Sequence, residues 1–391
     1  MHNGLKTLLL SLAAAALIQG CSSETDVVKM APVPQIQSKF EPDVVWSHSV
    51  GSGVGKFYSQ LSPVVADSTV FAASRDGEVE AFDKQSGDRK WSIDLGDEPE
   101  NSDKRSARLS GGITAFYGKL YIGSENGYVY AINQDDGKIL WSQHVPGEVI
   151  AAPAADAGKV VVVTSSGKIA ALDAESGKVA WSSADDQPNL TLRGQSTPVI
   201  AAGGIIYGRA DGKVGVVLLD SGMLANVSRV AAPHGSTELE RMVDVDAQPI
   251  VEGDEFYSVA YNGQLVARKL MTGEEIWKRK YSSAENMAMA GSDLLLTDAK
   301  GHVYAVDRSN GAEKWANTDL SYRNVTAPVA FNGYVLVGDS EGYLYWLDGQ
   351  SGRIAAMQEL DSKGLYTAAV ADGDMLFVQT RSGDLMAIKR P

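Results

Sequence analysis

Gly167-Lys-Ile-Ala-Ala-Leu-Asp-Ala-Glu-Ser-Gly177-Lys-Val-Ala-Trp181 is the stretch that decides the fold. Its two glycines stand ten residues apart, Trp181 follows four residues after the second, and Pro153 stands fourteen residues before the first. The same glycine pair recurs at 77/87, 127/137, 212/222, 263/273, 301/311 and 342/352, seven spacings in all, which chance does not produce. Pro63, Pro198, Pro249 and Pro328 hold the proline position, and Trp91, Trp141, Trp277 and Trp315 the tryptophan position. The unit is about 29 residues long and repeats past residue 45. Within it, apolar and β-branched runs such as 70–72 and 79–82 alternate with Asp-Gly, Asn-Gly and Ser-Gly pairs. Those pairs supply the positive φ that tight hairpins need. Each unit reads as a four-stranded antiparallel meander, strands A to D, with no room for helices.

An eighth unit starts near Ala369 and runs through Gly383, but the chain ends before its second glycine and its D strand. Before the first full unit, Val44-Val45-Trp46-Ser47 is a D strand with no A, B or C. Together they make one blade. A small residue recurs in strand C (Ala81, Ala131, Ala171, Ala267, Ala305, Ala387), and wherever it is alanine the D strand carries tryptophan; for Ala387 that partner is Trp46. Where one member changes, so does the other: Val216 with Asn226, and Trp346 with Ala356. Such compensation keeps packing near interior density. The expected fold is all-β, an eight-bladed propeller over 44–391 whose ring is closed by the N-terminal strand, with sheet edges managed by radial repetition.

Composition narrows the function. The 391 residues carry 35 Lys+Arg against 49 Asp+Glu, a net charge of -14, with no run of basic residues. That argues against nucleic acid, whose phosphates require clustered cations. One cysteine excludes an intramolecular disulfide, a CxxC pair and Cys-rich zinc sites.

That cysteine has another use. Residues 1–20 carry Lys6, an apolar run from Leu8 to Ile18, then Gln19-Gly20 ahead of Cys21. The run is too short to span a bilayer and has the layout of a secretory signal. It resembles a bacterial lipoprotein signal, which implies cleavage before Cys21 and diacylation of its thiol. A polar stretch follows, so 21–43 reads as a lipidated N-terminus and tether, and Ser22 resembles the sorting residue of outer-membrane lipoproteins. Cleavage leaves 34 bases against 49 acids, a net charge of -15.

Nearly all length variation falls between the tryptophan position of one unit and the start of the next. These D-to-A connectors emerge on the same face as the B-to-C turns, so one face is variable and the other plain. The long connectors are 46–63, 91–113, 181–198 and 226–249. The last two bring Leu190, Leu192 and Arg193 beside Glu238, Glu240, Arg241, Asp244 and Asp246. Apolar anchors with an arginine and a polar rim suit a protein partner, and rigid scaffolds carry binding on such loops. The competing reading is solvated loops with the leucines turned into the core.

Catalytic signatures are missing. Of five histidines, His2 falls in the signal and the others in four different units, without an HExxH pair. Gly51-Ser-Gly-Val-Gly55 lacks the strand-loop-helix setting of a phosphate loop and reads as a connector. Asp83, Asn133, Asp173, Asp307 and Asp348 recur at one repeat position and cap the following turn. No catalytic, cofactor or metal residue is expected.

The element Ala171-x-Asp-x-x-Ser-Gly-x-x-x-Trp181 resembles the tryptophan-docking repeat of pyrroloquinoline quinone dehydrogenases, which share the propeller; fold alone does not carry their activity. A resemblance over nearly the whole chain is to the BamB family of β-barrel assembly lipoproteins. It rests on Asp26-Val-Val-Lys-Met30, Gly51–Gly55, Leu192-Arg-Gly194, Ser236-Thr-Glu238 with Asp244-Val-Asp246, Ala260-Tyr-Asn-Gly263 and Val337-Gly-Asp-Ser-Glu-Gly-Tyr343. That resemblance implies a non-enzymatic scaffold, a monomeric propeller anchored in the outer membrane and facing the periplasm. It implies binding to the POTRA domains of BamA, with indirect links to other lipoproteins of the complex, and a role in inserting outer-membrane proteins. It places partner contact at Leu190, Leu192, Arg193, Asp244 and Asp246. The leucines would anchor while Arg193 and the aspartates set orientation. Direct contact with nascent barrels, by strand addition to a blade edge, is a further expectation. The alternatives are a ligand- or peptide-binding propeller using its central mouth and, behind it, a quinoprotein dehydrogenase.

Overall fold

The computed structural model describes residues 28–101 and 106–390; the signal segment and Cys21 lie outside them. Of the two compact units into which the chain divides, Ala31–Pro391 holds every strand. Eight four-stranded antiparallel sheets form, each in meander order. Blade 1 comprises Val64–Ala66, Thr69–Ala73, Glu78–Asp83 and Arg89–Asp94. Blades 2 to 7 occupy 109–144, 154–184, 199–229, 250–279, 288–317 and 329–359. Blade 8 takes three strands from 370–389 and its fourth from Asp43–Ser49, which pairs antiparallel with Asp384–Lys389. The ring closes as the repeat arithmetic requires. Helix is confined, among the described residues, to the 3-10 turns Leu95–Asp97 and Pro99–Asn101 in the connector from blade 1 to blade 2.

The inferred volume exchange is a cross-strand register. Ala81 lies opposite Trp91, Ala131 opposite Trp141, Ala171 opposite Trp181, and Ala387 opposite Trp46. The exceptions pair as well, Val216 with Asn226 and Trp346 with Ala356.

The ten-residue glycine spacing has a second cause besides turn geometry. Each D-strand tryptophan lies against the second glycine of the following blade: a Cβ on Gly222 would stand 2.3 Å from the Trp181 ring, and one on Gly87 2.7 Å from Trp46. The indole N–H then donates to a main-chain carbonyl of that next blade, Trp181 to Leu219 at 2.8 Å and Trp315 to Gly349 at 2.9 Å. Trp46 donates to Lys84 at 3.2 Å, which stitches blade 8 to blade 1. Where the tryptophan is absent so is the stitch: blade 4 offers Asn226 to Gly273 instead. In blade 7, Trp346 moves to strand C, and its Nε1 has no hydrogen-bond partner among the described residues. The recurrent Asp caps the turn as expected, Asp83 accepting from the backbone of Gln85 and Ser86 at 3.0 Å.

The core is a ring of eight inter-blade clusters. One joins Val161, Ile169 and Ala171 of blade 3 to Ile205, Tyr207 and Val217 of blade 4, with Trp181 packed against it. Because the main strand-to-strand contacts between blades join ring neighbours, removing one stitch opens one seam. Trp315→Ala should cost ~3–5 kcal/mol in a denaturant titration. A loss below ~1 kcal/mol would show that the indole does not hold the seam.

Ahead of the first strand, residues 31–40 lie against blades 6 and 7. The Ala31 N–H donates to Ser321 O at 2.9 Å, and Lys39 N–H to Ala355 O at 2.8 Å on the outer strand of blade 7. Phe40 packs edge-on against Tyr334 and Trp346, with centroids 5.3 and 5.4 Å away.

Candidate functional site

The connector between blades 3 and 4 and that between blades 4 and 5 lie against each other on the variable face, and Asp244 joins them. It is 1% exposed, and its Oδ1 accepts the Leu192 N–H at 3.0 Å. Its carbonyl takes the Tyr261 N–H at 2.8 Å, and Asn262 Nδ2 donates to Met242 O at 3.1 Å. The Ser196 hydroxyl bonds Ala247 O at 3.2 Å. The second connector is thus threaded between residues 192–196 and the B-to-C turn of blade 5. Asp246 presses on Gly194 so closely that a Cβ there would meet its Oδ2 at 2.0 Å. Only glycine admits that approach.

The five expected residues therefore come together but divide in two. Leu190 is 40% exposed, so it is not turned into the core, and Arg193 is exposed beside it, while Leu192 is half-buried. Asp244 and Asp246 lie beneath the loop surface, 1% and 6% exposed, where Asp244 holds the two connectors together. A cavity of about 210 Å³ lined by Leu192, Arg193, Asp244 and Asp246 opens between the two loops.

Two acids buried this close cannot both ionise cheaply. Burial, followed by the charges of Asp244 and Glu285, pushes the Asp246 carboxyl up to about 8; burial lifts Asp244 to about 6 against the pull of the Leu192 N–H. Asp244 Oδ2 has no hydrogen-bond partner among the described residues. A carboxyl raised in the folded state binds more protons there than in the unfolded chain. Its burial is therefore harmless below the unfolded value of about 3.9 and destabilises increasingly as pH rises through the folded one. Asp246→Asn should gain stability relative to the parent between about pH 5 and about pH 8, on the order of a few kcal/mol. Urea midpoints at both pH values would check this, and a difference independent of pH would mean the carboxyl is already ionised at the lower one.

Arg193 is held in place by carboxylates that the sequence did not point to. Its Nη1 donates to Glu148 at 3.0 Å, and Nη2 stands 3.2 Å from Glu125. Its partial burial opposes the charge, but Glu148 and Glu125 together hold its pKa above the ordinary arginine value. Glu125 also pairs with Arg75, whose guanidinium lies over the Phe57 ring at 4.1 Å. A charged row thus runs across blades 1 to 3. Glu125 and Glu148 sit in a B-to-C turn and a short connector that nothing in the repeat distinguishes. Leu239, 65% exposed, was also not singled out. Its turn is fixed by Glu240, which accepts the Ser236 and Thr237 N–H groups at 2.7 and 3.0 Å. An apolar residue inside a capped turn on a variable loop is the signal that could have found it.

Comparison with known proteins identifies the family. A family model described as outer membrane protein assembly factor BamB matches residues 39–107 and 99–317. A relative from Vibrio cholerae named outer membrane protein assembly factor BamB is 46% identical over 377 residues, covering 96% of each chain. Among solved structures, BamB from Moraxella catarrhalis is 25% identical, with a TM-score of 0.79 over 90% of this chain and 100% of that one. Quinohemoprotein alcohol dehydrogenase from Comamonas testosteroni, at 13% identity and a TM-score of 0.70 over 89% of this chain and 76% of that one, shares the fold alone. The dehydrogenase likeness is thus one of architecture, and the chain is an assembly scaffold, not an enzyme. By its model, its near full-length relatives and its structural neighbour, the chain belongs to the BamB family of outer membrane protein assembly factors.

Proposed function

We propose that the variable face around blades 2 to 4 docks the POTRA domains of BamA, and that Cys21 carries the lipid that anchors the chain to the outer membrane on its periplasmic side. The observation that carries the docking reading is the pairing of exposed Leu190 with Arg193, a charged group fixed between Glu125 and Glu148 on a loop that buried aspartates hold rigid. Apolar anchors beside a pre-organised arginine bind at little entropic cost. In this reading Leu190, Leu192 and Arg193 meet the partner, while Asp244 and Asp246 position them. Other lipoproteins of the complex are reached through BamA, and the propeller acts as a monomer.

The support for the anchor is the Leu8–Ile18 run ahead of Gln19-Gly20-Cys21 in a chain with a single cysteine. Among the described residues no helix is long and apolar enough to cross a membrane. A photocrosslinker at Leu190 should capture BamA in intact cells. One at Tyr117, 86% exposed on an A-to-B turn of the plain face, should not. Equal capture from both positions, or none from Leu190, would refute the placement.

A further inference from the structure

Lys56, Lys363 and Arg381 converge on one cavity of about 560 Å³ on the variable face, across the ring from Leu190. They come from three separate elements, the connectors into blades 1 and 8 and the B-to-C turn of blade 8. Among the described residues none of the three is paired with a carboxylate, although the chain holds 49 acids to 35 bases. Three cations sharing one cavity repel each other, and an anion placed among them removes that cost.

The surroundings favour the same ligand. Arg381 is oriented by its own Nη1, which donates to Gly55 O at 2.7 Å, and it lies 6.0 Å from the Tyr366 ring. The neighbouring acids do not line the cavity, and their carboxylates are occupied by hydrogen bonds from residues of its rim. Asp361 accepts the Lys363 and Ser382 N–H groups at 2.9 and 3.0 Å, and Asp76 accepts the Ser52 hydroxyl at 2.8 Å. Ser340 gives its hydroxyl proton to Arg323 O at 3.0 Å. The donors left for a ligand are the two ammonium groups, the guanidinium and the Ser382 hydroxyl, a set that recognises phosphate oxygens through charge-assisted hydrogen bonds. Gly55 leaves room beside them, since a Cβ there would meet nothing within 4 Å. The loop 51–55 thus contributes to an anion cavity without being a phosphate loop: a Cβ on Gly53 would meet Arg381 O at 2.3 Å, so this glycine serves loop-to-loop packing.

We infer that this cavity binds a phosphate ester, either a lipid headgroup or a soluble phosphate. Arg323, which accepts the Ser340 hydroxyl at its carbonyl, donates from Nη1 to Ala31 O at 2.8 Å, so the N-terminal segment enters the propeller next to the cavity. Ten residue steps separate Ala31 from Cys21, at most about 36 Å of chain. The headgroup source rests on the proposed anchor; the phosphate chemistry does not.

The test is calorimetric titration of the full chain in non-ionic detergent with inorganic phosphate, glycerol phosphate and short-chain phosphatidylglycerol. Saturable binding of one equivalent is expected, weakened about tenfold or more in the Lys56→Gln/Lys363→Gln double variant. Tighter binding of phosphatidylglycerol than of the two soluble phosphates assigns the lipid source, and the reverse assigns a soluble ester. The control double variant Lys138→Gln/Lys178→Gln removes the same charge from other blades and should bind like the parent. No saturable uptake of any probe, or equal weakening in the control, overturns the site.

Discussion

Replacing Arg193 with glutamate is expected to lower affinity for the BamA POTRA domains by about 100-fold or more while leaving the fold intact. The guanidinium neutralises Glu125 and Glu148, and its reversal places a third carboxylate between them. Central arginines of interfaces carry ~2–4 kcal/mol on truncation, each 1.4 kcal/mol being about tenfold. Charge reversal adds repulsion to that loss. The cost to stability is modest, because the side chain is 48% exposed and Glu125, 8% exposed, keeps its pairing with Arg75. Surface plasmon resonance against immobilised POTRA domains, with a thermal melt of each protein, separates the two effects. Affinity within about threefold of the parent would remove Arg193 from the interface.

A stability effect as large as that of opening a blade seam is expected at Arg323. Its side chain is 1% exposed, and its Nε donates to Asp339 at 2.6 Å; the Asp339 side chain is 0% exposed. Nη2 reaches Glu341 at 2.5 Å, and the Tyr345 hydroxyl also donates to Asp339, at 2.8 Å. Arg323→Ala leaves the aspartate buried without its counter-charge, a change that costs ~3–5 kcal/mol in such pairs. It also releases the bond to Ala31 and so loosens the N-terminal segment. Asp339→Asn in the same chain removes the stranded charge and should recover part of the loss. Denaturant titration of both variants measures this. A loss below ~1 kcal/mol in the single variant, or no recovery in the double, would mean that the charge is not what the arginine supports.

The propeller was legible in the sequence because each repeated residue answers to two local demands. Gly177 must adopt a positive φ of 71° in its turn and must also leave space for Trp141, so neither demand tolerates a side chain. The closing strand was legible because Ala387 calls for a tryptophan that only Trp46 supplies. The site was legible as a pair of loops but not in depth. Asp244-Val-Asp246 alternates like an exposed strand, yet Val243, Asp244, Val245 and Asp246 are all buried. Their burial comes from residues 192–196 on one side and the 260–263 turn on the other, contacts that no local period encodes. The same holds for Glu148, 45 positions from the arginine it holds, and for Ala31, 292 from Arg323. Such long-range polar pairs follow from how blades are set around the ring, which is fixed only once the ring is closed.

Titration of the parent chain with isolated BamA POTRA domains in a calorimeter, at low and at high salt, addresses the central claim most directly. The docking account predicts saturable one-to-one binding that weakens as salt rises, since Arg193 and Glu148 are partly exposed and screened. No heat of binding at either salt concentration would contradict it.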